Sequence, residues 1–357
     1  MSEQLWRKNL INITPYVAGE QPKSDNIIKL NANENAYPPS PKVREILDGY
    51  KPEDMRRYPS ADAAPLREAL AKRAGLRVDN VFVSNGSDDV LATAFRAFFN
   101  SHKPIVYPDI TYSFYPVWCE LLKIPSRTVP VDEDFHISPQ SLYGEGNGGV
   151  VFANPNAPTS LAESREFVRD VLEHNRDCIV IVDQTYVDFA QRGIDCLDMI
   201  KEYDNLLITH TFSKSRSMAG MRIGEAYGDA ELIKYMLAVK DSYNSYPVNR
   251  LSIETGVASV ADEEYFQSTL KKIINTRQNT AAALKELGFE VLDSQTNFLF
   301  VTHPKYGAKE IFEHLREKGI FIRYFNKPRI DRYLRITIGT DDEMAQMISQ
   351  IKAFMGI

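Results

Sequence analysis

Cysteine is scarce in this chain. Its three cysteines, Cys119, Cys178 and Cys196, form no CxxC pair and no Cys/His spacing suited to zinc. A disulfide framework and a structural metal are therefore excluded as organising principles. A reduced, cytoplasmic setting without a metal site is expected. Long apolar runs are missing as well. None approaches the ~18–20 residues of a membrane span, so no membrane partner is expected. The opening residues, MSEQLWRKNL, lack the apolar core of a secretory signal. Positive charge is not in excess: 42 Lys and Arg against 48 Asp and Glu leave a net charge of −6. That balance argues against nucleic acid as a partner. Internal repeats and low-complexity tracts are also absent. What remains is ordinary globular composition, 43% hydrophobic and 25% charged. At 357 residues the chain is long enough for two domains and a large core.

One stretch organises the rest. LITHTFSKSRSMAGMRIG, residues 207–224, opens as an apolar strand over Leu206–Ile208 and turns into a polar loop over Thr209–Ser217. That loop holds Lys214 directly after Ser213, and Arg222 follows between Gly220 and Gly224. A lysine just past a buried strand can lose its proton and become a nucleophile toward an aldehyde. Nearby hydroxyls and an arginine suit a phosphate. An aldehyde joined to a phosphate describes pyridoxal 5′-phosphate. Ser-Lys by itself also reads as a surface lysine in a polar loop, and two letters do not decide between the two.

Other segments add to this picture in chain order. Residues 1–26 are polar and irregular, and read as an arm carrying Tyr16. A short strand, Ile27–Leu30, precedes the loop NANENAYPPSP. Asn33 and Glu34 there read either as solvated turn residues or as neighbours of a bound substrate. Tyr58 lies in RRYPSAD, ahead of a helix with Pro65 in its first turn and Gly75 at its end. Val81–Val83 is a buried strand followed by an Asn85-Gly86 turn, and the apolar spacing from Val90 to Phe98 predicts a helix. Ser87 and Asp88 therefore stand at a helix N-terminus, which either receives an anion or is simply capped by them. After the strand Ile105–Tyr107 comes Tyr112, whose ring suits stacking on a flat molecule or packing in the core. VVFANPNAPTS is a strand and a proline-fixed loop holding Asn154 and Asn156, with a helix expected over Ala162–Asn175. CIVIVD reads as a parallel strand buried on both faces and ending at Asp183. A carboxylate there sits where α/β sheets bind ligands and needs a cation or hydrogen-bond donors; a helix-capping role is the alternative. A helix is expected over Asp229–Asp241, then a polar break, SYNSYPVNR, then a long helix over Glu263–Leu287 stopped by Gly288. Beyond it the pattern changes to strands at Phe289–Leu292, Asn297–Val301, Ile320–Tyr324 and Tyr333–Ile338, with helices at Ala308–Lys318 and Asp341–Met355. Thr340 and Glu343 have capping-box spacing. Arg323 and Arg335 both fall on strands in this part, and the apolar flanks of Arg335 call for an anion.

Each signal is weak, yet their order resembles the fold-type I pyridoxal-phosphate aminotransferases over roughly residues 27–357. It is most similar to the histidinol-phosphate aminotransferase family, through LNANENAYPPSP, RYPSADAAPLREALA, NPNAPTS, DQTYVDF, TFSKSRSMAGMRIG and YLRITIGT. The resemblance implies an α/β fold. A large domain with a mainly parallel central sheet would span 50–262, a small α+β domain would combine 27–49 with 263–357, and the arm would be 1–26. It implies that Lys214 holds pyridoxal 5′-phosphate and that Asp183 pairs with the ring nitrogen. Tyr186 and an Asn-Pro loop residue would hold the ring oxygen, and Tyr112 would stack on the ring. Ser87, Asp88, Thr211, Ser213 and Arg222 would surround the phosphate. Tyr58 would reach the cofactor of a neighbouring subunit, which makes the protein a homodimer. Arg335, Arg323 and Tyr16 would bind the anionic end of the substrate, with Asn33 nearby. Two departures stand out. The family's Asn-Pro-Thr-Gly is Ala157-Pro158-Thr159-Ser160 here, which leaves Asn156 as the candidate for the ring oxygen. The usual glutamate after the strand-end aspartate is Gln184. The expected reaction moves an amino group between L-histidinol phosphate and 2-oxoglutarate. An aromatic amino-acid aminotransferase, a lyase of the threonine-phosphate decarboxylase type and a non-catalytic binding module are the alternatives.

Overall fold

The protein is described by a computed structural model covering residues 10–16, 19–22 and 27–357. The expected arm, 1–26, therefore lies partly outside the described residues. The heart of the structure is a seven-stranded sheet. Its strands run in the order Val81–Asn85, Ile223–Gly228, Leu206–Thr211, Val180–Asp183, Gly149–Ala153, Ile105–Pro108 and Ser126–Val129. Ile223–Gly228 is antiparallel to both neighbours, and the other pairings are parallel.

Continuous apolar runs make these strands because both faces of the sheet are covered. Side chains alternate across a strand. Val150, Phe152, Val180 and Val182 accordingly enter one core, while Val151, Ile181 and Leu207 enter the other. Full burial of one such side chain contributes about 1.5–3 kcal/mol. The parallel strands all deliver their C-terminal ends to one edge. The register aligns Ala153 with Asp183, Asp183 with Thr209, Thr211 with Gly224, and Ile223 with Asn85. The loops after Asn85, Pro108, Ala153, Asp183 and Thr211 therefore emerge at that edge.

A second core lies around a four-stranded antiparallel sheet made of Arg323–Tyr324, Leu334–Thr337, Phe298–Thr302 and Glu290–Val291. The 24-residue helix Glu263–Glu286 packs its Phe266, Leu270 and Ile273 into this core, with Gly288 at φ 87° just beyond it. Thr340 and Glu343 form the expected capping box. Ile28–Lys29 pairs in parallel with Ile320–Phe321, which brings the N-terminal segment against the C-terminal part of the chain.

Several elements differ from the sequence reading. Ile320–Tyr324 is two short strands that serve different sheets. The helix expected over Ala162–Asn175 spans Arg165–Glu173, capped by Ser164. Leu206–Ile208 extends to Thr211, because its polar end pairs with Ile223–Gly228. That partner strand escaped notice because glycines bound it and Glu225 interrupts its apolar run. The helices Pro41–Gly49, Tyr115–Leu122 and Arg250–Val260 and the strand Ser126–Val129 were hidden too. Pro38 and Pro39 precede the first of these helices and Pro41 opens it. The third carries Thr255 and Gly256 inward, where small residues rather than a large apolar stripe make the contact.

Candidate active site

Asp183 forms the floor. It is only 4% exposed. Its Oδ1 accepts from Thr185 Oγ1 (2.7 Å), Thr185 N (3.2 Å) and Thr209 Oγ1 (3.2 Å), and its Oδ2 from Tyr115 OH (3.3 Å). Burial pushes its carboxyl above the usual range, and these hydrogen bonds pull it back down. Among the described residues no cation pairs with it. Thr185, Thr209 and Tyr115 were not picked out from sequence. The signal for the first was its place two residues beyond the strand end, and for the second its register opposite Asp183.

Beside this floor stands the N-terminus of the helix Gly86–Phe98. Asn85 precedes it without a side-chain cap, so its first N–H groups are not satisfied by a side chain. Ser87 and Asp88 sit inside the first turn rather than at the cap. Asp88 accepts from Tyr112 OH (2.7 Å) and pairs with Arg222 Nη2 (3.4 Å). Tyr112 is thus tied by its hydroxyl to the helix start, and burial together with the Asp88 charge raises its phenol well above the usual value. The fit around Arg222 is tight. A Cβ at Gly86 would lie 2.4 Å from its Nη2, and one at Gly224 2.2 Å from the Gly86 carbonyl carbon. Thr211 Oγ1 donates to Ser213 Oγ (3.0 Å), which places two hydroxyls in the same strand-end loop as Lys214.

Lys214 is half-buried between these groups. Its Nζ donates to the carbonyl of Ala32 at 3.1 Å. Burial, then the positive charge of Arg335, lowers its amine from 10.5 to about 8. Such an amine is a usable nucleophile near neutral pH. The Asn31–Asn35 segment crosses over it. Asn33, left-handed at φ 54°, donates from Nδ2 to Tyr186 OH (2.9 Å) and from its backbone N to Thr337 Oγ1 (3.0 Å). Tyr186 therefore accepts from Asn33 and keeps its own proton for another partner. Burial raises its phenol, with Arg335 opposing.

At the other end, Arg335 and Arg323 lie in direct cross-strand register. Arg335 Nη2 donates to Asn31 O (2.8 Å), and its Nε is buried without a hydrogen-bond partner. Burial, then Arg323's charge after an opposing effect of Tyr186, depresses its guanidinium. Among the described residues neither arginine is ion-paired. Tyr16 stacks on Phe114 with ring centroids 4.6 Å apart and contributes to the electrostatics of Arg335 and Tyr112.

Three further residues of the sequence reading are placed as follows. Asn156 donates from Nδ2 to Ile110 O (2.9 Å), in the loop after the strand Ile105–Pro108, and to Thr159 Oγ1 (3.1 Å) in its own loop, so both amide protons are engaged. Tyr58 is 82% exposed and stacks on Tyr246, apart from the cluster around Lys214. Gln184 turns to the Ile194–Cys196 segment, away from the site.

The arrangement fits pyridoxal 5′-phosphate. An uncapped helix end with an arginine and two hydroxyls suits its phosphate, a poised amine suits its aldehyde, and a buried carboxylate lacking a cation suits a protonated ring nitrogen. Comparisons with known proteins point the same way. The chain is 49% identical over 350 residues to the histidinol-phosphate aminotransferase of Lactococcus lactis subsp. cremoris (strain SK11), covering 98% of each. Its fold is shared with the histidinol-phosphate aminotransferase of Sinorhizobium meliloti solved in complex with pyridoxal-5′-phosphate. That match has TM-score 0.82 and 24% identity, covering 92% of this chain and 91% of that one. The fold is also shared with the L-threonine-O-3-phosphate decarboxylase of Porphyromonas gingivalis, at TM-score 0.79 and 23% identity, covering 93% and 100%. The family model for aminotransferase class I and II matches residues 25–351, and the chain belongs to that family.

Proposed function

We propose that this enzyme is a histidinol-phosphate aminotransferase, transferring an amino group between L-histidinol phosphate and 2-oxoglutarate with pyridoxal 5′-phosphate as cofactor. The observation that carries the substrate assignment is the Arg323–Arg335 pair. Two like charges directly opposite on neighbouring strands repel. With a buried, unpartnered Nε and, among the described residues, no carboxylate paired with them, they are built to receive an anion. Histidinol phosphate carries a phosphomethyl group where an amino acid has its α-carboxylate, and glutamate carries the carboxylate. A guanidinium fork serves both. The relatives' names support the same substrate.

When bound, pyridoxal 5′-phosphate supplies an aldehyde and a ring that accepts the charge left by the departing α-proton. The chain's own residues do the rest. Asp183 presents a negative charge in a dry pocket at the strand end, where it holds a proton on the ring nitrogen. Ser87, Thr211, Ser213 and Arg222 take the phosphate, with Asp88 orienting Arg222 and Tyr112. Tyr186, already accepting from Asn33, donates its proton to the ring oxygen, while Asn156 braces the loop behind it. Lys214 is the attachment point. Its amine, when free, would move the substrate's α-proton as base and then as acid. Tyr16 and Asn33 border the substrate beside Arg335. The reading extends to a cytoplasmic homodimer, in which the exposed Tyr58 reaches the neighbouring subunit's phosphate. Sedimentation of the wild type and Tyr58→Phe tests that part: a monomeric, fully active wild type rules it out.

The central experiment incubates the protein with histidinol phosphate and 2-oxoglutarate, and separately with threonine phosphate. Glutamate production without carbon dioxide is the expected result. Carbon dioxide from threonine phosphate would replace this reading with the lyase. Lys214→Ala should lose at least ~10⁴-fold in turnover while keeping its thermal midpoint.

A further inference from the structure

Asn35 has no part in the roles above, yet it touches the lysine's own main chain. Its Nδ2 donates to Lys214 O at 2.9 Å and to Ser215 O at 3.2 Å. Its Oδ1 accepts from Tyr37 N at 3.0 Å, which fixes the amide's orientation. The other partner of the Lys214 carbonyl is a long turn contact from Ser217 N at 3.5 Å. Residues after the lysine are anchored elsewhere: Ser215 Oγ donates to Asp188 Oδ2 (2.6 Å) and Arg216 Nη1 to Ser259 O (2.9 Å). Those anchors leave the lysine's own carbonyl to Asn35. The amine meets the same segment from within, at Ala32 O, three residues before Asn35. One short loop therefore grips Lys214 at both ends.

We propose that Asn35 is a positioning residue for Lys214: by clamping two successive carbonyls it fixes the origin of the side chain and so the place of its amine. This rests on the reading that Lys214 is the attachment point for the cofactor's aldehyde. A donor that bridges two backbone acceptors restrains both translation and rotation of that stretch. Without it, the part-buried Ser215 carbonyl loses its side-chain partner, that of Lys214 keeps only the long Ser217 contact, and the lysine's own backbone is less restrained. A displacement of about 1 Å in a reacting group costs up to ~10²-fold in rate.

The test uses the cofactor-stripped, full-length protein and two probes. With pyridoxal 5′-phosphate the lysine amine adds to the aldehyde carbon and one water leaves; absorbance follows the rate and borohydride reduction with mass spectrometry confirms the bond. Pyridoxamine 5′-phosphate has the same ring and phosphate but no aldehyde, so its affinity reports the pocket without the lysine. In Asn35→Ala the capture rate should fall at least ~10-fold, with the pyridoxamine 5′-phosphate Kd within about twofold of wild type. Asn35→Gln, which retains the amide, should recover part of the rate. If Asn35→Ala does not fold, Asn35→Ser, too short to reach both carbonyls, carries the same test. An unchanged capture rate overturns the proposal. So does an equal loss for both probes, which would make Asn35 a support of the pocket as a whole. Failure of the wild type to capture pyridoxal 5′-phosphate would overturn the attachment-site reading itself.

Discussion

At one end of the site a carboxylate closes a parallel strand and accepts four hydrogen bonds from Thr185, Thr209 and Tyr115. At the other, two guanidiniums face each other across antiparallel strands with no carboxylate paired to them among the described residues. The Asp183 end is complete as it stands. Neutral donors hold its charge, and its position follows from sheet register. The arginine end is incomplete: a like-charge pair, one buried nitrogen without a partner, and a carbonyl from Asn31 as its one tether. Neutral donors orient a charge without cancelling it, so Asp183 still acts on whatever lies above it. Uncancelled cations bind whatever anion arrives, which suits a site that must accept both a phosphate ester and a carboxylate. The constant partner, the cofactor, meets the finished end. The exchanged partner, the substrate, meets the unfinished one.

The strongest way to break this contrast is Asp183→Asn, which keeps the shape and removes the charge. Turnover should fall about 10³-fold, in line with the loss of a preorganised electrostatic group. The thermal midpoint of the cofactor-free protein should hold or rise, because an uncompensated buried charge disappears. Steady-state kinetics and thermal unfolding measure the two. Unchanged turnover would mean the carboxylate is a structural cap.

Arg335→Gln probes the other end. Here kcat/KM for histidinol phosphate and for glutamate should fall together, about 10²-fold, mainly through KM. Arg335→Lys should not restore it, since a point charge cannot replace the fork. The cofactor-free protein should be no less stable than wild type, because the repulsion with Arg323 is relieved. A loss for only one of the two substrates would divide the anion site and defeat the shared-pocket account.

The same contrast governs what could be read from sequence. Asp183, Ser87 and Lys214 were legible because each ends a local pattern, an apolar run followed by a polar turn, and a parallel sheet delivers all such ends to one edge. The arginine corner was legible only as residue types. Its geometry comes from the pairing of Arg323 with Arg335 and from a carbonyl 304 positions away in the chain, neither of which has a local signature. In the sequence Asn33 stays open between a solvated turn residue and a substrate neighbour, and Asn35 is not singled out, for the same reason: their partners, Tyr186 and Lys214, are 153 and 179 positions away. Asn156 is the opposite case. A polar residue beside a missing family asparagine invites substitution for it, but the Ile110 carbonyl from a neighbouring loop and the Thr159 hydroxyl claim its amide first. Thr185, Thr209 and Tyr115, small or apolar in appearance, become polar supports only once strand register is known.

The smallest effect links the two ends through the lysine. Burial lowers the Lys214 amine to about 8, and Arg335 is the next cause in the same direction. The rate at which the cofactor-free protein captures pyridoxal 5′-phosphate should therefore rise with pH and level off above about 8. For stability the sign is fixed as follows. The folded amine loses its proton before the unfolded one, so between about 8 and 10.5 the unfolded chain binds more protons. Stability from this group therefore climbs with pH across that window, and its cost is fully present below it. In Arg335→Gln the capture midpoint should move upward only slightly, since burial, the largest depressing influence, and the charge of Arg222 both remain. The burial that remains should keep it below the value of a free lysine. A midpoint that stays at the wild-type position would separate the arginine corner from the lysine electrostatically. A midpoint at the free-lysine value would mean that the charge, not the burial, depresses the amine, and the two ends of the site would then be far more tightly coupled than their hydrogen bonds indicate.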